Sequence, residues 1–146
     1  TLGITNISFV AQIVDWNAPK RHEVIKKAHE HKGTSYVRII QRCPDYVEAI
    51  GKALQDEPAR MKLLTHENGV QVDESVKRLF PNHAEHDPSD LAAALTIAAD
   101  SSVLPLGILY HNPDALRYDT MSAAGMQMSV DDRLAGMNEA LDHFAI

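Results

Sequence analysis

The hydrophobic pattern changes period along the chain, and the changes mark its elements. Ile7-Ser-Phe-Val-Ala-Gln-Ile-Val14 is almost continuously apolar, as in a strand covered on both faces. Asp15-Trp-Asn17 is turn material, and Asn17 can cap a helix with Pro19 in its first turn. Val24, Ile25 and Ala28 then recur at helical spacing, with Lys20, Arg21, Glu23, Lys26, Lys27 and Glu30 on the wet side. His31-Lys-Gly33 is expected to close this helix with cations and a glycine C-cap. Tyr36–Gln41 reads as a short, largely buried strand, stopped by Pro44. Strand, helix, strand with short connections predicts a βαβ crossover and two parallel strands.

The later elements are shorter. A helix is expected over Tyr46–Gln55 and a strand over Met61–His66. Asn68-Gly69 is the strongest hairpin signal in the chain, with Val70-Gln-Val72 as the returning strand. Glu74–Phe80 reads as a short helix stopped by Pro81, and Asn82–Pro88 as a polar loop. Asp87 or Ser89 is expected to cap a helix, Asp90–Ala99, with Leu91, Ala94, Leu95 and Ala98 as its buried stripe. Val103–Tyr110 reads as a buried strand that Pro105 pushes to an edge of the sheet. Residues 119–129 have no clear pattern. Ser129 or Asp131 starts a last helix, with Leu134, Met137, Leu141 and Phe144 on one face.

Composition narrows the classes. The 146 residues are 45% hydrophobic and 23% charged, ordinary values for one globular domain. A net charge of −6 argues against a nucleic-acid backbone or an anionic membrane as the main partner. No apolar run approaches the ~20 residues of a membrane span. A single cysteine precludes an intrachain disulfide, so a reducing cytoplasmic setting is the default.

That cysteine, Cys43, is the leading chemical candidate. It lies just past a predicted strand end, where open α/β sheets gather ligands. The alternative is a small, half-buried loop cysteine. Arg38 and Arg42 are positioned in sequence to lower its pKa or meet an anion, or else to pair with neighbouring acids. His83 and His86, with Glu85 and Asp87, offer metal-ligand residue types, against which stands a solvated loop with Asp87 as a cap. His29 and His31 suit a solvated helix end. Met121, Met126 and Met128 suit irregular core filling, or a partner groove. No dinucleotide fingerprint, Walker loop or nucleophile elbow is present.

Three stretches carry a resemblance. Asn6-Ile-Ser-Phe-Val-Ala-Gln12 is similar to Gly-Ala-x-Phe-Val-Ala-Arg, Ala28-His-Glu-His-Lys-Gly-Thr-Ser-Tyr-Val37 to Ala-x-x-His-Lys-Gly-Phe-Ser-Phe-Val, and Val37-Arg-Ile-Ile-Gln-Arg-Cys-Pro44 to Val-x-Val-Leu-Gln-x-Cys-Pro. In this order and spacing they resemble the carboxyl-terminal half of the β subunit of 2-oxoacid:ferredoxin oxidoreductases. More loosely, the Asn-Gly turn, His86-Asp-Pro88 and Gly107-Ile-Leu-Tyr110 resemble the end of longer members. The resemblance implies an α/β fold, the last βαβ part of a thiamine-diphosphate-binding fold with parallel strands, plus a mixed α/β carboxyl-terminal tail. It divides the chain at 1–58 and 59–146. It implies oxidative decarboxylation of a 2-oxo acid to acyl-CoA, with Cys43 as the fourth thiolate of a 4Fe–4S cluster that passes electrons to ferredoxin. The implied partners are an amino-terminal half of the β subunit, an α subunit, ferredoxin, coenzyme A and the 2-oxo acid.

The chain departs from that pattern. It lacks the other three cysteines, and the Gly-Asp-Gly and downstream Asn that hold Mg²⁺ and thiamine diphosphate in the family. Asp45, Val47 and Glu48 stand where members often carry other residues. The chain therefore reads as a portion of a subunit, by truncation, proteolysis or a split gene, that alone holds neither thiamine diphosphate nor a complete cluster. The other reading is a non-catalytic α/β binding or assembly module. A portion is expected to leave Ile7–Val14 as an unprotected edge or face, and a module to cover it.

Overall fold

The computed structural model describes residues 1–4, 6–42, 54, 56–123 and 129–142. By contacts the chain forms two compact units, Thr1–Ala115 and Leu116–Ile146.

In the first unit, Ile7–Val14 forms β1, buried at every position after Ile7. The Asn17 side chain accepts a bond from the Lys20 amide at 3.2 Å and starts α1, Ala18–Glu30, with Pro19 in its first turn. Only Val24 of α1 is fully buried. The helix ends at His31 in extended geometry (φ −67°, ψ 133°), so the expected glycine C-cap does not form. Gly33 serves close packing instead. A Cβ there would lie 2.1 Å from Ser8 Oγ and 2.8 Å from Ala115 Cβ.

Thr34–Ile40 forms β2, parallel to β1 from Val10 opposite Tyr36 to Val14 opposite Ile40. The βαβ expectation holds, but β2 is not buried. It is an edge strand, and Tyr36 and Ile39 are 43% and 39% exposed. β1, which a portion of a subunit would leave open and a module would cover, is enclosed between β2 and β5 (Leu104–His111), with α1 packed beside it. The predicted Tyr46–Gln55 helix falls almost wholly outside the described residues.

Met61–Thr65 forms β3 and Asn82–Glu85 forms β4, giving a five-stranded sheet in the order β2-β1-β5-β3-β4. The protein is α/β with a mostly parallel sheet. β3 runs parallel to both β4 and β5, and among the described residues the one antiparallel junction joins β1 to β5. The sheet thus draws strands from both sides of residue 58.

Two expectations fail for one reason. Residues 66–69 do turn, with Gly69 N bonded to His66 O at 3.0 Å, but Val70–Val72 is not a returning strand. Both edges of β3 are already taken by β4 and β5, so no ladder is open to it. Val70 packs against Phe9, Ala11 and Val24 instead. The partner on the outer side of β3 is the segment read as a polar loop, Asn82–Glu85.

Pro105 lies in a central strand, not an edge one. Its carbonyl faces β1, where it accepts the Gln12 Nε2–H at 2.7 Å. The β1–β5 ladder stops at Gln12 opposite Gly107, so the missing Pro105 N–H falls beyond the last ladder bond. Gly107 has φ +119°, and a Cβ there would sit 2.9 Å from the Leu64 carbonyl oxygen.

Helix α2, Glu74–Leu79, is capped by Asp73 (Oδ1 to Val76 N, 2.9 Å), and it packs Val76 and Phe80 on Met61, Leu63 and Leu106. Helix α3, Leu91–Ala99, is capped by Asp90, not by Asp87 or Ser89. Of its expected buried stripe only Ala94 is buried, while Leu91 and Leu95 are 38% and 45% exposed. Ile97 joins Val10, Leu64 and Leu109 in a core cluster. Alternation along the strands puts that cluster on the opposite sheet face from Phe9, Ala11, Leu63 and Ile108.

The second unit holds α4, Tyr118–Ala123, and α5, Val130–Asp142. Ser129 Oγ accepts from Asp132 N at 3.0 Å while Asp132 Oδ2 accepts from Ser129 N at 3.3 Å, a reciprocal cap. The predicted face of α5 forms, but Leu134, Met137 and Leu141 are all exposed. Phe144 lies outside the described residues. No helix among the described residues is long and apolar enough to cross a membrane.

Candidate functional site

Among the described residues, two places gather polar chemistry, at opposite ends of β1. At its carboxyl end, Asp15 N donates to Ile40 O at 2.9 Å, extending the parallel ladder by one bond. The Asp15 carboxylate then receives Arg42, from Nε at 3.2 Å and from the backbone N at 3.5 Å. The guanidinium lies 5.5 Å from the Trp16 ring centroid. Arg21 Nη1 donates to the Asp15 carbonyl at 2.5 Å, tying the same turn to α1. The residue that precedes Cys43 in sequence is therefore fastened to the ends of both parallel strands.

Cys43 itself lies outside the described residues, as do Pro44, Asp45, Val47 and Glu48. Arg42 is ion-paired, so its charge is largely balanced where it stands. Arg38 does not join it. It lies four residues earlier, about 13 Å of strand away, and its Nη1 donates to Gln12 Oε1 at 3.3 Å.

The His83 and His86 metal grouping does not assemble. His83 and Glu85 are exposed on β4, whereas His86 is buried with Nε2 2.7 Å from Leu109 O. Asp87 is turned to Ser89, and the bonds from the Ser89 amide and hydroxyl hold its carboxyl below the usual range. No group of three or more His, Cys, Asp or Glu among the described residues could hold a metal ion. Of the methionines singled out, Met126 and Met128 lie outside the described residues.

At the amino end of β1 sits a cluster that sequence reasoning missed. His29 is exposed, as expected of a helix end, but His31 turns inward. Its Nε2 lies 2.8 Å from Ser8 Oγ, which also reaches Thr34 O at 3.3 Å. The rings of His31 and His111 meet edge to face at 5.1 Å between centroids, and Phe9 lies 5.7 and 5.4 Å from them. Burial lowers the pKa of both imidazoles. The neighbouring His111 adds to the effect on His31, and Lys27 adds to that on His111. His31 and His111 are 80 positions apart, and only the β1–β5 junction joins them. The available signals were a serine within an apolar strand and a glycine after His31. If Ser8 donates to Thr34, the imidazole must donate to Ser8, so this pair is a structural clasp and not an activated nucleophile.

No protein-family model matches the chain, and no curated protein matches it. A solved structure does. It is a 2-oxoglutarate:ferredoxin oxidoreductase from Magnetococcus marinus, with 2-oxoglutarate, coenzyme A and succinyl-CoA bound. Identity is 25%, the TM-score is 0.49, and the match covers 92% of this chain. The chain spans 35% of that structure's length.

Proposed function

We propose that the chain is the carboxyl-terminal portion of a 2-oxoacid:ferredoxin oxidoreductase β subunit, contributing to oxidative decarboxylation of a 2-oxo acid to acyl-CoA. The carrying observation joins sequence to geometry. The three resembling stretches fall on β1, the α1–β2 turn and β2, and Asp15 fastens Arg42 beside Cys43 in sequence. Cys43 would supply one thiolate to a 4Fe–4S cluster that relays electrons to ferredoxin. The described residues do not fit the cofactors by themselves. One cysteine in the chain cannot ligate four irons, and no other metal-ligand group is present among the described residues. The remaining thiolates, and the residues that hold thiamine diphosphate and Mg²⁺, belong to partner sequence. This chain's contribution is to hold the end of β2 and to support assembly with an α subunit in a cytoplasmic heteromer.

One observation favours the second reading, a non-catalytic α/β binding or assembly module. β1 is covered by its own sheet and helix, and the open strand is β2. Anaerobic purification from the native source separates the two. The oxidoreductase reading expects cysteine-bearing partners and a broad iron–sulfur absorption that Cys43→Ser weakens. A folded, colourless chain that runs alone, with Cys43 freely alkylated, leaves the module reading.

A further inference from the structure

The sheet face opposite Phe9 and Ala11 holds a groove of about 670 Å³, bounded by β1 and β2, α3 and the start of β5. This is within the range of small-molecule sites. Its walls include Val10, Leu95, Ala98 and Pro105, and it contains Gln12 and Arg38. Gln12 is a buried polar residue in the core strand β1, at 9% exposure. Its orientation follows from Pro105. Proline has no N–H, so the polar group offered to Gln12 is a carbonyl, which only the amide NH₂ can satisfy. The Gln12 Oε1 is thereby turned toward Arg38, whose Nη1 it accepts at 3.3 Å. No carboxylate among the described residues forms an ion pair with Arg38. Asp100, in the same groove, is engaged by Ser102 (N at 2.9 Å) and by Lys62 at 3.9 Å.

We infer that this groove binds a small carboxylate with a short apolar chain. The carboxylate sits on the Arg38 guanidinium and the chain lies along Leu95, Ala98 and Pro105. An arginine held at one nitrogen by a neutral amide keeps its other donors, and a planar fork suits a carboxylate. In a chain of net charge −6, an arginine with no acid partner among the described residues is a local exception to the overall potential. The inference is independent of the oxidoreductase reading, because it rests on the Gln12–Arg38 level of the sheet and not on the strand end before Cys43.

Sodium hexanoate is the probe, titrated into the full 146-residue chain while the Arg38 and Gln12 side-chain NMR signals are followed. Saturable shifts with a Kd on the order of 1 mM are expected, as befits so small a ligand. Arg38→Gln should weaken binding about tenfold, the usual worth of a charge-assisted hydrogen bond. Leu95→Glu, at a half-exposed position, should also abolish it with the fold intact by circular dichroism. Hexanol should not bind. Equal shifts with hexanol, equal shifts with inorganic phosphate, no saturation, or unchanged affinity in folded Arg38→Gln would each overturn the assignment.

Discussion

Replacing Gly33 by alanine tests the packing at the amino end of β1. The added methyl would stand 2.1 Å from Ser8 Oγ, 2.7 Å from His31 Nε2 and 2.8 Å from Ala115 Cβ. Carbon–carbon contacts settle at about 3.5–4.0 Å, so all three neighbours must move. Ala115 Cβ is fixed to the backbone, and Ser8 is anchored in a buried strand. The His31 ring is the movable partner, but its retreat breaks the 2.8 Å bond to Ser8. Overpacking of this kind costs about 1–3 kcal/mol, and the lost hydrogen bond adds about 1 kcal/mol. Gly33→Ala is therefore expected to destabilise the chain by roughly 2–4 kcal/mol, read as a lower urea midpoint at unchanged slope. Ser8→Ala alone should cost about 1 kcal/mol, but in the Gly33→Ala background it removes the closest obstacle. The double variant should then be more stable than the sum of the single losses by about 1 kcal/mol or more. A Gly33→Ala loss below about 0.5 kcal/mol, or strict additivity with Ser8→Ala, would refute the reasoning.

The His31–His111 pair predicts a pH dependence. Both folded-state pKa values lie below the ordinary histidine value, so the unfolded chain binds protons first, and stability is lost as pH falls from about 6.5 through the folded values. The urea midpoint should therefore drop between pH 7.5 and 5.5, and His111→Phe should flatten that drop; an unchanged midpoint in the parent would contradict it. This window lies above the carboxylate range, where Asp73, Asp87, Asp100 and Asp119 have lowered values of their own. Asp15→Asn should cost less than about 1 kcal/mol, since its partner Arg42 is half exposed. It frees the Arg42 charge, so Cys43 should react faster with a disulfide reagent at pH 7, and a slower reaction would count against this. His86→Ala should cost about 2 kcal/mol by leaving Leu109 O without its partner, while His83→Ala leaves a zinc titration unchanged.

How much was legible depends on how local each cause was. β1 and α1 were legible because an apolar run and an Asn17 cap with Pro19 need no distant partner. The Asn68-Gly69 turn was legible for the same reason, but its returning strand was not, because that depended on which edges of β3 stayed free. Asn82–Glu85 carries no apolar signal and is a strand only because β3 offers it a parallel edge. Pro105 argued for a sheet edge because a missing N–H usually does; here the ladder to β1, the side its carbonyl faces, ends before it. The exposure of β2 was hidden by its strand-favouring residues, which report backbone preference and not burial. The clasp of Ser8, His31 and His111 needed the β1–β5 register. The fastening of Arg42 to Asp15 was foreshadowed only as an unspecified acid partner.

The antiparallel junction between β1 and β5 has a consequence for how the chain comes together. β5 contacts β1 on one side and β3 on the other, so it is the strand that joins the two strand pairs into one sheet. Its residues come about 100 positions after their β1 partners, with Phe9 opposite His111 and Gln12 opposite Gly107. During synthesis, β1 with β2 and β3 with β4 can each pair early, but neither piece has a closed interior until residue 111 has been made. Until then the edges of β1 and β3 that β5 will join stay unpaired. Such long-range closure is intrinsically slow and leaves open strand edges exposed to aggregation. A chain stopped before Leu104 would therefore be two adhesive half-sheets, not a slightly shorter protein.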